Sequence, residues 1–409
     1  PAEFWRAIWD FCGIIGTPGT PVLEHPERMP GARWFPNARL NFAQNLLRHR
    51  DDAPAILFKS ETGESAHYSF SELYLAVART AAALKEAGVE SGDRVAGYMP
   101  NLPETVIAML ATTSMGAIWS SCSPDFGIDG VVDRLGQIQP KVLFCAAAYT
   151  YGGKTHDCLE KVRGIVQAIP SIRHTVVVPY VNPDAKISRI PGAAWFRDFT
   201  ANSSSEIDFE PLPFDHPVYI LYSSGTTGVP KCITHGAGGT LIQHLKELVL
   251  HTNLRRSDRL CYYTTCGWMM WNWMVSCLAV GTTMVLYEGS PFYPSPAAMF
   301  DLIDESGITV FGTGAKAIAA WEKAGLKPRS SHQLNSLVTL LSTGSPLAPE
   351  SFEYVYRDIK QNLCLSSIAG GTDIVSCFMP GCPILPVWPG ELQCAGLGMA
   401  VEILREDGT

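Results

Sequence analysis

Val218-Tyr-Ile-Leu-Tyr222 runs directly into Ser223-Ser-Gly-Thr-Thr-Gly-Val-Pro-Lys231, and this stretch decides the fold. The β-branched, aliphatic and aromatic run predicts a buried strand. The residues after it are small, carry hydroxyls or are glycine, and they end in one lysine. Gly225 and Gly228 let the backbone turn tightly enough for several N–H groups to point at one anion. The hydroxyls of Ser223, Ser224, Thr226 and Thr227 add donors, and Lys231 adds a positive charge. A strand that ends in such a loop is suited to holding phosphates. It is not a kinase-type P-loop, because Lys231 does not directly follow a glycine and Cys232 stands where that motif needs Ser or Thr.

Strand and helix patterns alternate on both sides of this stretch. Upstream, Ser69-x-x-Glu72 forms a capping box, Leu73, Val77 and Leu84 follow on one helical face, and Gly88 ends that helix. Strands are expected at Arg94–Met99, Ala117–Ser120, Val142–Cys145 and Thr175–Val178, with a helix from Pro103 to Met115. Downstream, strands are expected at Leu260–Tyr263, Thr283–Tyr287, Thr309–Phe311, Thr339–Ser342 and Leu363–Ile368. The apolar run from Met269 to Tyr287 is broken by Asn272, Ser276, Gly281, Thr282 and Thr283, so it reads as a buried helix stopped at Gly281 and then a buried strand. The fold class is therefore α/β, with two βα-type subdomains of mostly parallel sheet covered by helices. Ligands of such sheets sit beyond the carboxyl ends of the strands. The expected division is a helical extension over 1–48, which holds the amphipathic pattern Phe4, Trp5, Ile8, Trp9 and Cys12, then α/β subdomains over 49–215 and 216–380. Residues 182–215, rich in Pro, Ser and Asp, read as a surface connection between the two subdomains.

Composition narrows the function classes. The 409 residues are 46% hydrophobic and 17% charged, enough to bury more than one core. A net charge of -8, with no run of Lys and Arg, offers no broad positive field to nucleic acid or to an anionic membrane, so phosphate binding must be local. The twelve cysteines are scattered, none in Cys-x-x-Cys spacing, which argues for reduced thiols in the cytosol and against a structural zinc site.

The string from Tyr222 to Lys231 resembles the phosphate loop of the adenylate-forming superfamily, which includes acyl-CoA synthetases, luciferases and peptide-synthetase adenylation domains. Trp34-Phe-Pro-Asn-Ala-Arg-Leu-Asn-Phe-Ala-Gln-Asn45, Gly92-Asp-Arg-Val95 and Met99-Pro-Asn-Leu-Pro-Glu104 are similar to the amino-terminal third of its short-chain acyl-CoA synthetases. The resemblance implies ATP, Mg2+ and CoA as reactants or cofactors. It implies that Ser223, Ser224, Gly225, Thr226, Thr227, Gly228 and Lys231 hold ATP phosphates, and that Gly344, Ser345, Pro346 and Gly371 hold adenine. Thr372 and Asp373 stand where the family has a Thr-Glu pair, the Thr touching the α-phosphate and the acid coordinating magnesium. Lys231, Thr372 and Asp373 are thus the implied catalytic set. Asp373 departs from the family's Glu but keeps a hard carboxylate oxygen.

Trp268, Met269 and Met270 match the segment that lines the family's acyl pocket, and Gly370 stands where acetyl-specific relatives carry a bulky aromatic residue. A glycine there leaves room for a four-carbon acid. The wording around Gly370 and from Gly390 to Val401 is most like that of synthetases acting on acetoacetate; propionate, butyrate, an amino acid and a non-catalytic binding role are the alternatives. Tyr151-Gly-Gly-Lys154 is similar to an Arg-Gly-Gly-Lys segment that meets the phosphate end of CoA, so Lys154 is a candidate CoA contact. The resemblance also implies a small β-barrel-like portion, begun by 381–409 with a strand at Val401–Leu404, and a C-terminal domain that supplies a lysine to the first half-reaction. Both that lysine and a ribose-binding aspartate are expected beyond Thr409, so this chain is expected to bind nucleotide but to turn over little.

Overall fold

Two seven-stranded sheets form the frame of the computed structural model, which describes residues 1–223, 228–405 and 407. Across the first sheet the strands run in the order Ala193–Trp195, His174–Val178, Val142–Ala146, Arg94–Tyr98, Ile118–Cys122, Pro217–Ser223 and Lys231–Gly236. Across the second they run Cys364–Ser367, Thr339–Thr343, Val310–Gly314, Arg259–Tyr262, Thr283–Glu288, Pro54–Ser60 and Ser65–Ser69. In each sheet all pairings are parallel except the last, where a hairpin turns back. Every strand expected between Arg94 and Ile368 forms, with shifted ends. Central strands such as Ile118–Cys122 and Val142–Ala146 are buried at every position, as strands covered on both faces must be.

The helices follow their local signals. Ser69 and Glu72 make the reciprocal capping box at the start of Phe70–Glu86. The helix Pro103–Ser114 is buried almost all round, and its hydroxyls are satisfied within the element: Thr112 donates to the Ala108 carbonyl at 2.7 Å and Ser114 to that of Ala111 at 2.7 Å. After the helix Met269–Val275 and one tighter turn, Gly281 adopts φ +83° and stops the element as expected.

The sheets do not follow the division expected at residue 215. Pro54–Ser60 lies parallel to Thr283–Glu288 in the second sheet, whereas Pro217–Ser223 and Lys231–Gly236 close the first. Each sheet is edged by a hairpin from the other half of the chain. Apolar pattern identifies a strand but not its neighbour, because pairing is set by non-local contacts. The described residues after Met379 form no strand, so the expected β-barrel-like start is not seen; Val401–Leu404 is irregular, with Ile403 90% exposed. A lone apolar run cannot satisfy its backbone donors and acceptors as a strand without a partner.

Where the sheets meet, the buried Asn101 after Arg94–Tyr98 joins them. Its N–H donates to Glu288 Oε2 at 2.7 Å, its Nδ2 donates to the Tyr287 carbonyl, and its Oδ1 accepts from Trp271 Nε1 at 2.9 Å. Burial pushes the Glu288 carboxyl up to about 8, with Glu61 and Asp125 adding repulsion against the Asn101 hydrogen bond. The folded chain therefore keeps a proton that the unfolded chain gives up near the ordinary carboxylate range. This contribution to stability is complete at low pH and is lost as pH rises towards 8. Between pH 5 and 8 melting should consequently become easier by up to about 1.4 kcal/mol per pH unit from this group. Glu288→Gln should flatten the decline in a melting series over that range, and an unchanged slope would contradict the assignment.

Candidate active site

Three segments at or beyond the carboxyl ends of parallel strands converge on one cavity of about 550 Å³. The first follows Arg259–Tyr262 and brings Trp268, at the amino end of the helix Met269–Val275, together with Met269 and Met270. Trp268 is 65% exposed, whereas the two methionines are buried, so the indole forms the rim and the methionines the floor. The second follows Thr339–Thr343: Gly344 takes φ +89° and turns the chain into Ser345 and Pro346. The third follows Cys364–Ser367 and is a hairpin of Ala369–Gly371 with Ser376–Met379, whose tip is the turn Thr372–Ile374. Gly370, Gly371 and Thr372 line the cavity from it.

Nine of the residues expected to bind adenine, acyl group or α-phosphate therefore line one space: Trp268, Met269, Met270, Gly344, Ser345, Pro346, Gly370, Gly371 and Thr372. Sequence reasoning missed other lining residues, among them Thr343, Ile368, Cys377, Phe378 and Leu392. Thr343 and Ile368 adjoin the quoted loops and could have been included. Cys377 and Phe378 enter only because their strand folds back beside Gly370, a pairing without a local signal. A second cavity of about 320 Å³ shares Trp268, Met270, Thr343, Gly344 and Ser345 with the first and adds Tyr263 and Lys316.

The phosphate-loop reading can be followed only at its ends, because Ser224, Gly225, Thr226 and Thr227 lie outside the described residues. Ser223 pairs with Lys231 across the hairpin, so Lys231 begins an antiparallel strand, exposed at the strand's start. Gly228 has φ +103° with open space around it. Both strands of this hairpin pack against the turn Thr372–Ile374, which brings the phosphate hairpin of the first sheet beside Asp373 of the second. His235, unremarked in the sequence, sits in that contact. It is buried, and burial lowers its pKa although the Thr372 backbone and the Asp373 charge oppose the shift. Among the described residues no cluster of three His, Cys, Asp or Glu could cage a metal. A single carboxylate, that of Asp373, suits a magnesium shared with substrate phosphates rather than a protein-only site.

Lys154 lies elsewhere, on a hairpin of Ala148–Tyr151 with Lys154–Asp157. The Glu61 carboxylate fixes its turn, accepting from Gly152 N–H and Gly153 N–H at 2.9 Å each and from Ser290 N–H at 2.8 Å. Tyr151 meets Tyr263, which places this hairpin next to the second cavity.

Gly370 has a structural reason beyond acyl room. A Cβ there would stand 2.4 Å from the Ser376 carbonyl oxygen and 3.0 Å from Cys377 Cα, whereas one on Gly371 would meet nothing closer than 4.0 Å. Gly370→Ala should cost about 1–3 kcal/mol in urea unfolding, and Gly371→Ala less than about 0.5 kcal/mol. Equal effects would show that the hairpin is looser than the described geometry.

An α/β fold of this topology with nucleotide-type loops at its strand ends defines the class, and the chain belongs to the AMP-binding enzyme family, whose model matches residues 42–382. It is 51% identical to the acetoacetyl-CoA synthetase of Danio rerio over 98% of this chain and 61% of that protein. It is also 51% identical to the acetoacetyl-coenzyme A synthetase of Rhizobium meliloti (strain 1021), over 99% of this chain and 62% of that protein. The solved acetoacetyl-CoA synthetase from Streptomyces lividans superposes with a TM-score of 0.94 at 42% identity, covering 100% of this chain and 63% of that one. The chain thus spans about three fifths of the length of these relatives.

Proposed function

We propose that this chain is the nucleotide-handling part of an acid–thiol ligase that joins acetoacetate to AMP and then passes the acyl group to CoA. One observation carries the reading: the acyl-type segment at Trp268, the turn at Gly344 and the hairpin at Gly370 wall a single cavity, and the phosphate hairpin packs against that hairpin's tip. In the first step an acetoacetate oxygen attacks the α-phosphorus and pyrophosphate leaves. In the second the CoA sulfur attacks the acyl carbon, its proton is lost to solvent, and AMP leaves. Neither step needs a nucleophilic side chain; each needs reactants held in line and phosphate charge neutralised.

The roles are those the family resemblance implies. Lys231 and the Ser223–Gly228 loop meet the β- and γ-phosphates, the Thr372 hydroxyl donates to the α-phosphate, and Gly344, Ser345, Pro346 and Gly371 border the adenine. Asp373 would hold magnesium, which when bound adds positive charge at the phosphates. The mostly apolar floor of Met269 and Met270 receives the acyl chain. The second cavity, bordered by Tyr263 next to the Tyr151–Lys154 hairpin, gives CoA an approach from the other side of Trp268. In this reading the described chain binds nucleotide and turns over little, and it works among reduced thiols, as in the cytosol. The competing acids are propionate and butyrate, because the bareness of Gly370 is also explained by the Ser376 carbonyl and does not by itself select acetoacetate.

ATP with magnesium should stabilise the chain by about 2–3 kcal/mol at a hundredfold excess over Kd. Lys231→Ala should remove most of that gain without lowering the melting point of the free protein. A chain extended to the length of its relatives should release pyrophosphate fastest with acetoacetate in a panel with acetate, propionate and butyrate. No stabilisation by nucleotide would leave a non-catalytic member of the fold, and a different winner in the panel would reassign the acid.

A further inference from the structure

The two walls of the acyl end of the cavity are tied together from behind by one helix. Ala237–Lys246 widens into a π-helical turn over Glu247–His251, a distortion that recurs at functional sites. Glu247 is buried, and its carboxylate holds both walls at once. Oε2 accepts from Trp273 Nε1 at 2.9 Å, on the helix that carries Met269 and Met270. Oε1 accepts from the Ser376 hydroxyl and, at 3.1 Å, from the Cys377 N–H, on the strand that closes against Gly370. Lys246 Nζ, equally buried, lies 3.6 Å from Oε1 as the counter-charge. One turn earlier, His244 spans the same gap: Nδ1 pairs with Ser276 Oγ at 2.8 Å and Nε2 with the Val375 carbonyl at 2.8 Å.

We propose that Glu247 is a specificity-positioning residue, setting the separation of the Met269–Met270 floor from the Gly370–Cys377 wall and hence the length of acid the cavity accepts. This deepens the ligase reading and rests on it. The carboxylate touches no substrate. A buried carboxylate accepting from both walls is a stiff spacer, because moving either wall leaves a buried polar group short of a donor. The Ser376 carbonyl, which occupies the position a Gly370 side chain would take, belongs to the same held residue, so Glu247 also fixes that contact.

The test uses the extended chain and the ratio of kcat/KM for acetoacetate to that for acetate in pyrophosphate release. Both acids share the nucleotide chemistry, so a general loss of activity cancels in the ratio. Trp273→Phe and Ser376→Ala each cut one wall from the carboxylate, and Lys246→Met/Glu247→Gln removes the ion pair without stranding a charge. The ratio should fall at least tenfold in the double variant and at least threefold in each single one, through KM for the acid, with KM for ATP within twofold of wild type. A ratio that stays within twofold of wild type in the two single variants overturns the proposal, whether or not overall rates drop. Should the wild-type protein prefer another acid, the ligase assignment to acetoacetate fails, and the ratio between that acid and its shorter homologue still decides the role of Glu247.

Discussion

The exchange of edge hairpins between the two sheets is the constraint on which the candidate site depends. Pro54–Ser60 and Ser65–Ser69 complete the sheet that carries Gly344 and Gly370, while Pro217–Ser223 and Lys231–Gly236 complete the other. Neither sheet can be finished by its own half of the chain. The Pro217–Ser223 and Lys231–Gly236 hairpin is thereby held at the edge of the first sheet and pressed against the Thr372–Ile374 turn that follows the second. Had each half kept its own hairpin, the elements that would hold phosphate and acyl group would belong to separately folding layers free to shift against each other.

Several buried polar groups bond across the joint between the two sheets. Asn101 reaches from the first sheet to Glu288 and to Trp271 at once. Nearer the cavity, Glu247 links the Met269–Val275 helix to the Ala369–Met379 hairpin, and His244 links Ser276, just past that helix, to Val375. Apolar packing alone would give cohesion without a fixed spacing, since hydrophobic attraction is not directional. Buried hydrogen bonds contribute geometry: they are worth little net when made and cost much when broken, so they hold relative positions more than they add stability.

Most of the frame was legible in the sequence because its signals are local. The capping box at Ser69 and Glu72, the stop at Gly281 and the apolar runs of the central strands each declare themselves within a few residues. The cavity loops were picked out by family resemblance and by their order in the chain, each following a strand. Partners were not legible. The run Ala55-Ile-Leu-Phe58 gives no sign that its neighbour is Met284–Leu286, more than two hundred residues away. Gly370 reads as spare volume, yet the fold shows that the returning Ser376 fills the position a side chain would take. Glu247 looks like one more acid on a helix, and only its burial against Trp273 and Ser376 distinguishes it. What sequence hides here is long-range pairing and the buried polar contacts that depend on it.

The division of labour between the two regions follows from the same geometry. In the proposed reaction, activating a carboxylate on ATP would set opposite demands within a short distance: the phosphates need dense donors and positive charge, and the acyl chain needs a dry, shaped enclosure. Placing both on one loop would force Lys231 or Asp373 into the apolar floor, where an unpaired charge is costly. In the proposed reading the charged groups lie on the exposed start of the Lys231–Gly236 strand and at the turn tip, and the buried methionines lie on the helix that floors the cavity. Behind the proposed acyl end, the buried Glu247 bonds to both walls, and Lys246 Nζ lies 3.6 Å from its carboxylate. They shape the enclosure without adding charge to it, which lets one site meet both demands.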